Sequence, residues 1–354
     1  MVKKYISVVK EDTYGVEKYS QSDLSTATRL KDYISTDASE GNHNSPDLSE
    51  KGDVTALSSG HIRKKDKIYF EPEYSLIGGL ADYFFLAMST GEVKGDATDI
   101  SNLTSGQKMF VGINSKQNTS FTVLTNTIYD DAVDYMLGFQ LGELNLALET
   151  GEVAIECNGF ASRNKLDETN LSRGVSSYLG NVIQYSQLKD ISLASITKDE
   201  DVIQLPTASS SWTSVGCDIV SGEFNTNFNL DEDSGFGFCN DGWANGFDCG
   251  ALEVEASVEI NQHSDIWKKL VFGNNSEFTN LAKKSIKFTL NDGDYQLDII
   301  MPDGVVGLDG ANVRTENDTE TVNFTNETAN VSYGDDEDNV SFDDIEALLE
   351  LTKL

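Results

Sequence analysis

Side chains able to do covalent or proton-transfer chemistry are few in this chain and widely spaced. The three histidines, His43, His61 and His263, each sit in a polar or turn-like context. A Ser-His-Asp relay or a zinc site would have to be gathered from these isolated residues. No Walker loop, dinucleotide fingerprint or H-E-x-x-H stretch occurs, which removes the common phosphate, nicotinamide and zinc-protease chemistries. The four cysteines, Cys157, Cys217, Cys239 and Cys249, contain no C-x-x-C pair and are too few for a disulfide framework. Cys239 and Cys249 would close one loop in an oxidising compartment. The expectation is a protein that is not an enzyme. One stretch, Asp231-Glu-Asp233-Ser-Gly235, has the oxygen chemistry of a cation site, since Asp231 and Asp233 can offer Ca²⁺ hard ligands. It lacks the third acidic position and the distal Glu of an EF-hand loop, and a solvated acidic loop is the simpler reading. No other cofactor is expected. The adjoining run to Cys249 carries Trp243 and Phe247, an aromatic loop suited to a ligand or to packing on a partner.

Charge says more than the motifs do. The 354 residues include 59 Asp and Glu against 26 Lys and Arg, a formal net charge of -33. Such a chain repels phosphate backbones and anionic lipid, which excludes sequence reading of nucleic acid and headgroup binding. The charge is regional: Asp199 to Trp267 holds 14 carboxylates and Thr315 to Thr352 holds 12, and neither stretch has a Lys or Arg. Either a functional surface must stay negative, or the whole surface is adapted to high salt, where repulsion is screened. The basic N-terminus lacks the apolar core and cleavage site of a signal peptide. The most apolar stretch, Leu80 to Met88, is interrupted by Asp82 and falls short of the ~20 residues that span a bilayer. A soluble protein with no membrane partner is expected.

These groups must be positioned by strands. With 4 Pro and 29 Gly, and Thr, Val, Ser and Asn throughout, the composition predicts a mainly β fold whose turns are made by Gly, Asn and Asp. Tyr5 to Val9 reads as a strand, followed by a long polar loop or arm. Lys67 to Phe70 alternates, Pro72 cannot continue a central strand, and Ser75 can cap a helix. In that helix Leu76, Ile77, Leu80, Tyr83, Phe84 and Ala87 recur at helical spacing. A shift of 190 residues repeats the unit, laying Val258 on Ile68, Ile260 on Phe70 and Leu270 on Leu80. There Val254, Ala256, Val258 and Ile260 alternate with Glu253, Glu255, Ser257 and Glu259, and a helix follows Ser264. The match is either an internal duplication or the chance likeness of two common units. Duplication divides the chain into domains at 1–165 and 166–307, with an acidic extension at 308–354.

Two further regions of period two put Glu149, Glu152 and Glu156, and then Glu223, Asn225, Asn227 and Asn229, on polar outer faces. The extension carries Asn-x-Ser/Thr sequons at Asn317, Asn323, Asn326, Asn330 and Asn339 and reads as exposed. It ends in Ser341 to Leu354, where a capping-box-like start and a stripe of Phe342, Ile345 and Leu349 predict a terminal helix. Such a helix would serve as an assembly arm on a neighbouring subunit or pack on its own domain.

The order of these pieces resembles the tail tube (major tail) proteins of long-tailed, non-contractile viruses, in the class with two tube domains. The resemblance is carried by Lys10-Glu-Asp-Thr-Tyr-Gly15, by Glu71-Pro-Glu-Tyr-Ser-Leu-Ile-Gly-Gly-Leu80, and by Phe121-Thr-Val through Leu137-Gly-Phe-Gln-Leu-Gly-Glu-Leu-Asn-Leu146. Leu297-Asp-Ile-Ile-Met-Pro302 completes it. It covers about residues 5 to 305 by order and spacing; the acidic tail departs from it. The resemblance implies two tandem β-sandwich or half-barrel domains, each with one packed helix, and self-assembly into rings stacked as a hollow tube. Three copies per pseudo-sixfold ring are favoured over six. It implies a place in the virion tail after assembly in the host cytoplasm, other tail proteins at the tube ends, and double-stranded DNA passing without specific binding. Glu149, Glu152, Glu156, Glu253, Glu255 and Glu259 are the candidates to line the lumen, where they would repel DNA. The acidity points to a virus of a salt-loving, archaeal host. A surface β-sandwich adhesin or carbohydrate binder using Trp243 and Phe247 is the competing expectation.

Overall fold

A computed structural model describes residues 4–15, 28–29, 35–39, 68–73, 80–114, 119–127, 133–147, 155–167, 177–178, 187–215, 219–231, 234–235, 245–261, 283–309, 319–334 and 339–354. The expected mainly β character is borne out. From the N-terminus run strands Lys4–Lys10 (β1) and Ile68–Glu73 (β2), the helix Leu80–Ala87 (α1), then Gly91–Gly95 (β3), Lys108–Ile113 (β4), Phe121–Thr127 (β5), Val133–Ala147 (β6), Ile155–Ala161 (β7) and Arg163–Asp167 (β8). They continue with Gln187–Ala194 (β9), Thr197–Asp199 (β10), Val202–Leu205 (β11), Ile219–Asn227 (β12), Glu253–Asn261 (β13), Lys283–Asn291 (β14) and Tyr295–Asp309 (β15). Thr319–Asn326 (β16), Ala329–Tyr333 (β17), Val340–Ile345 (β18) and Ala347–Lys353 (β19) complete the chain. Among the described residues no helix is long and apolar enough to cross a membrane.

Two strands of 15 residues, β6 and β15, organise the fold because each changes partner midway. Along one edge of β6 lie β7 and β8; along the other, β5 pairs with Asp134 to Phe139 and β12 with Glu143 to Ala147. The turning point is Gly138, at φ +66°, where a Cβ would come within 2.8 Å of Ser162 Oγ and of the Tyr14 ring. Any L side chain would be strained there. In β15 the turning point is Pro302, which has no N–H to give the ladder. Residues Tyr295 to Ile300 pair with β19 and Gly304 to Asp309 with β16. Around the proline, Ser285 Oγ donates to the Pro302 carbonyl at 2.8 Å and Asp303 N–H to Asn326 Oδ1 at 2.9 Å. Bends of this kind are how one sheet becomes two layers.

The long sheet therefore runs β6–β12–β13–β16–β15 on one side of its bend and β3–β4–β19–β15–β14–β9 on the other. It curls around α1, whose Leu80, Ala81, Tyr83, Phe84 and Ala87 are fully buried. They meet Val111, Leu297, Leu349 and Leu351 from one limb and Leu144, Phe224, Val258 and Phe324 from the other in a single apolar cluster. Each such residue stabilises the fold by about 1.5–3 kcal/mol. A second sheet, β10–β11–β17–β18, covers the back of the β4–β19–β15 limb. Phe110, Ile300 and Leu348 below meet Ile203, Leu205, Val331, Phe342 and Ile345 above. Gly112 permits the approach, because a Cβ on it would lie 2.6 Å from Phe342 Cδ1.

The C-terminus corrects the expectation of a terminal helix on a free arm. Residues 340–345 and 347–353 are strands, and β19 is inserted between β15 and β4. Phe342, Ile345 and Leu349 are at most 1% exposed and belong to their own chain's cores. Leu348, Leu349 and Leu351 are all buried, a two-sided strand that a helical stripe imitates in sequence. Of the sequons, Asn326 donates to the backbone carbonyls of Glu327 and Glu346, so exposure of the whole extension is likewise corrected; Asn317 lies outside the described residues. Sheet pairing crosses both expected domain boundaries, β6 to β12 at one and β4 to β19 to β15 at the other. The second expected helix, after Ser264, lies outside the described residues.

Candidate functional site

The strands β6, β12, β13 and β16 bury alternate side chains against α1 and turn the others outward. Registration places the outer residues in rows: Glu143, Asn227 and Glu253; then Asn145, Asn225, Glu255 and Thr325; then Glu223, Ser257 and Asn323; then Ser221, Glu259 and Thr321. Glu223, Glu253, Glu255 and Glu259 are exposed. No Lys or Arg occurs in β12, β13, β16 or the second half of β6. The carboxylates are instead bridged by amides and hydroxyls. Asn145 donates to Glu223 at 2.6 Å, Asn225 and Asn158 to the two oxygens of Glu143 at 2.8 Å, and Ser221 to Glu259 at 3.0 Å. The result is a broad anionic face on a rigid sheet, shallowly hollowed between Glu223, Asn225, Glu255 and Asn323.

Several of the described lysines are used elsewhere. Lys283 meets Glu327 at 2.5 Å and Asp303 at 3.5 Å, Lys198 meets Asp303 at 3.6 Å, and Lys108 meets Glu350 at 2.5 Å. Lys94 lies 4.5 Å from the Phe342 ring centre and Lys353 4.1 Å from that of Tyr295. The Lys283 ammonium, which hydrogen-bonds Glu327, holds that carboxyl below its usual range. The acidic face has no comparable counterion from this chain among the described residues, so its field acts outward.

Of the lumen candidates, Glu253, Glu255 and Glu259 come together on this face. Glu156 pairs with Asn145 through its backbone, and Glu149 and Glu152 lie outside the described residues. Sequence reasoning missed Glu143 as a member; it follows Gly142 in the same alternating run as Leu144 and Leu146, and that period was the available signal. Asp231 is exposed on a short strand, with its carbonyl accepting from Ser234 N–H and Oγ at 3.2 and 2.7 Å. Asp233 lies outside the described residues, and among those described no group of three His, Cys, Asp or Glu is arranged to hold a metal. Phe247 is 4% exposed and packs on Phe160 at 5.6 Å, its N–H donating to Gln140 Oε1 at 2.7 Å. Trp243, Cys217, Cys239 and the three histidines lie outside the described residues.

A second built feature is the corner Lys10 to Gly15. Glu11, 5% exposed, accepts from Gly15 N–H at 2.7 Å and Ser120 Oγ at 2.5 Å on one oxygen. The other oxygen accepts from Thr122 Oγ1 at 2.9 Å and Gly138 N–H at 3.0 Å. One carboxylate thus ties β1 to β5 and to the bend of β6. A buried carboxylate with so many donors is a structural pin; its oxygens are spent on fixing the chain. No protein-family model matches the chain, and no curated protein matches it.

Proposed function

We propose that this protein is a structural tube subunit, of the tail-tube class of long-tailed viruses, whose acidic sheet face lines a conduit for double-stranded DNA. The observation that carries the reading is the face on β6, β12, β13 and β16: glutamates in register, amide donors turned onto carboxylates, and no Lys or Arg in those strand segments. A polyanion passing such a surface meets repulsion and few outward donors, so it slides rather than binds. The half-barrel closed around α1 agrees with what the resemblance implies for one tube domain, and a rigid sheet suits a wall better than a mobile loop would. The adhesin alternative loses support because Phe247 is committed to its own core.

The test is assembly. The full chain, purified at high salt, is imaged by negative-stain electron microscopy and sized by light scattering. The reading expects rings or tubes with a central channel, with threefold averages if two tube domains share each chain and sixfold if one does. A monodisperse monomer at every salt concentration overturns it.

A further inference from the structure

Between the covering sheet and the β4–β19–β15–β14 limb lies a charged group that the acidic-face reading does not use. Lys287 on β14 and Asp298 on β15 are diagonal neighbours, since Lys287 faces Ile300 and Asp298 faces Thr289 across the ladder. Lys287 Nζ stands 4.0 Å from Asp298 Oδ2, with the two side chains 15% and 7% exposed. On the other side of β15, Asp298 directly faces Glu350 of β19. Glu350 is 3% exposed. The surround is aromatic and aliphatic, with Gln296 Nε2 donating to both Asp298 oxygens at 3.3 Å and Thr352 Oγ1 to Glu350 Oε1 at 3.4 Å. Lys287 Nζ lies 4.7 Å from the Trp212 ring centre, Phe110 faces Glu350 across β4–β19 and meets Tyr333 edge-on at 5.9 Å, and Ile300 and Leu348 are fully buried. The other charged groups around the pair are Lys108, 2.5 Å from Glu350 Oε1, and Lys94 beyond Phe110 on β3. Tyr333 of the covering sheet is the remaining titratable group at the pair, its hydroxyl pushed up by burial and by the Glu350 charge.

Two carboxyls side by side, Asp298 with Lys287 and Glu350 with Lys108, form an arrangement with a specific reactivity. We infer that Lys287 and Asp298 condense into an intramolecular amide, with Glu350 relaying the proton. The ammonium and carboxylate together contain every atom of the products. A bond forms between Lys287 Nζ and Asp298 Cγ, one Cγ–O bond breaks, and the oxygen leaves as water with two of the three ammonium protons. Glu350 takes a proton from nitrogen as it attacks and returns it to the departing oxygen. No oxidant or further reactant is needed. The amine must give up a proton before it can attack as a nucleophile. Holding the partners in one strand ladder supplies the high effective concentration of an intramolecular reaction. Burial, the main influence on Asp298, raises its carboxyl above the usual range, which helps it keep the proton it must lose as water. The product would staple β14 to β15 at the point where β15 also holds the C-terminal strand.

The experiment is intact mass measurement of the purified full-length chain, denatured, followed by tandem mass spectrometry of its peptides. The expected result is a species lighter than the sequence by one water, with the loss mapped to linked Lys287 and Asp298 peptides. It should be absent in Lys287→Arg and Asp298→Ala. Glu350→Gln should slow its formation about 100-fold, and Glu350→Asp should restore part of the rate. Circular dichroism matching the unsubstituted chain is required of each variant before it is scored. A wild-type chain at full sequence mass, or a water loss mapped elsewhere, overturns the inference. Unchanged linking in folded Glu350→Gln overturns the relay.

Discussion

At the scale of single residues, Glu11 is a highly satisfied carboxylate, with four donors from three segments of chain. Glu11→Ala strands buried N–H and O–H groups around the bend of β6, and each such group costs about 1–3 kcal/mol. The variant should lose at least about 3 kcal/mol of stability in urea unfolding, while the exposed Glu253→Ala stays within about 0.5 kcal/mol of wild type. Glu346 behaves differently. Burial raises its carboxyl above the usual range, partly offset by a hydrogen bond from Thr328. The folded chain therefore holds this proton more tightly than the unfolded one, and the group's contribution to stability falls as pH rises through that interval. Glu346→Gln should unfold at higher urea than wild type near about pH 7, and the difference should vanish below about pH 4. Urea midpoints across a pH series check the sign.

At the scale of elements, the decisive strand is the last one. Because β19 lies between β15 and β4, deleting residues 347–354 removes the centre of a sheet. The truncated chain should be insoluble or lack cooperative unfolding, whereas a docking arm could be removed with the fold intact; solubility and a thermal melt separate the two. Phe342→Ala empties a site in the second core and should cost about 3–5 kcal/mol. Sequence periodicity located β12 and β13 correctly, because Phe224, Val254, Ala256 and Val258 alternate with polar residues over one buried face. It misassigned 341–354, because a strand buried on both faces has no alternation to read, and Phe342, Ile345 and Leu349 happen to fall three and four residues apart. The Glu11 corner was visible as a motif, but its four partners come from residues up to 127 positions away and could not be read locally.

At the scale of the molecule, charge and shape meet on the acidic face. Replacing Glu223, Glu255 and Glu259 by Lys should convert weak or absent retention on DNA-cellulose at low salt into binding that falls steeply as salt rises. A surface unrelated to DNA passage would also bind after such reversal, so tube length and genome ejection are the functional readout. The unsubstituted protein should gain stability with added salt, since like charges in register repel within about 10 Å at 0.1 M ionic strength; thermal melts against salt measure it.

Composition and alternation by themselves determined the class of structure: a strand-rich, highly acidic chain with sparse and scattered catalytic side chains. These are properties of local sequence, where a period of two or an absence of bases is complete information. The tertiary structure decided which carboxylates share a surface and which are buried. It decided that the C-terminus is core rather than arm, and that Lys287, Asp298 and Glu350 are neighbours. Those outcomes depend on where β6 and β15 bend and change partners. Strand register is set by contacts between residues far apart in the chain, so it becomes legible only once the sheet has closed.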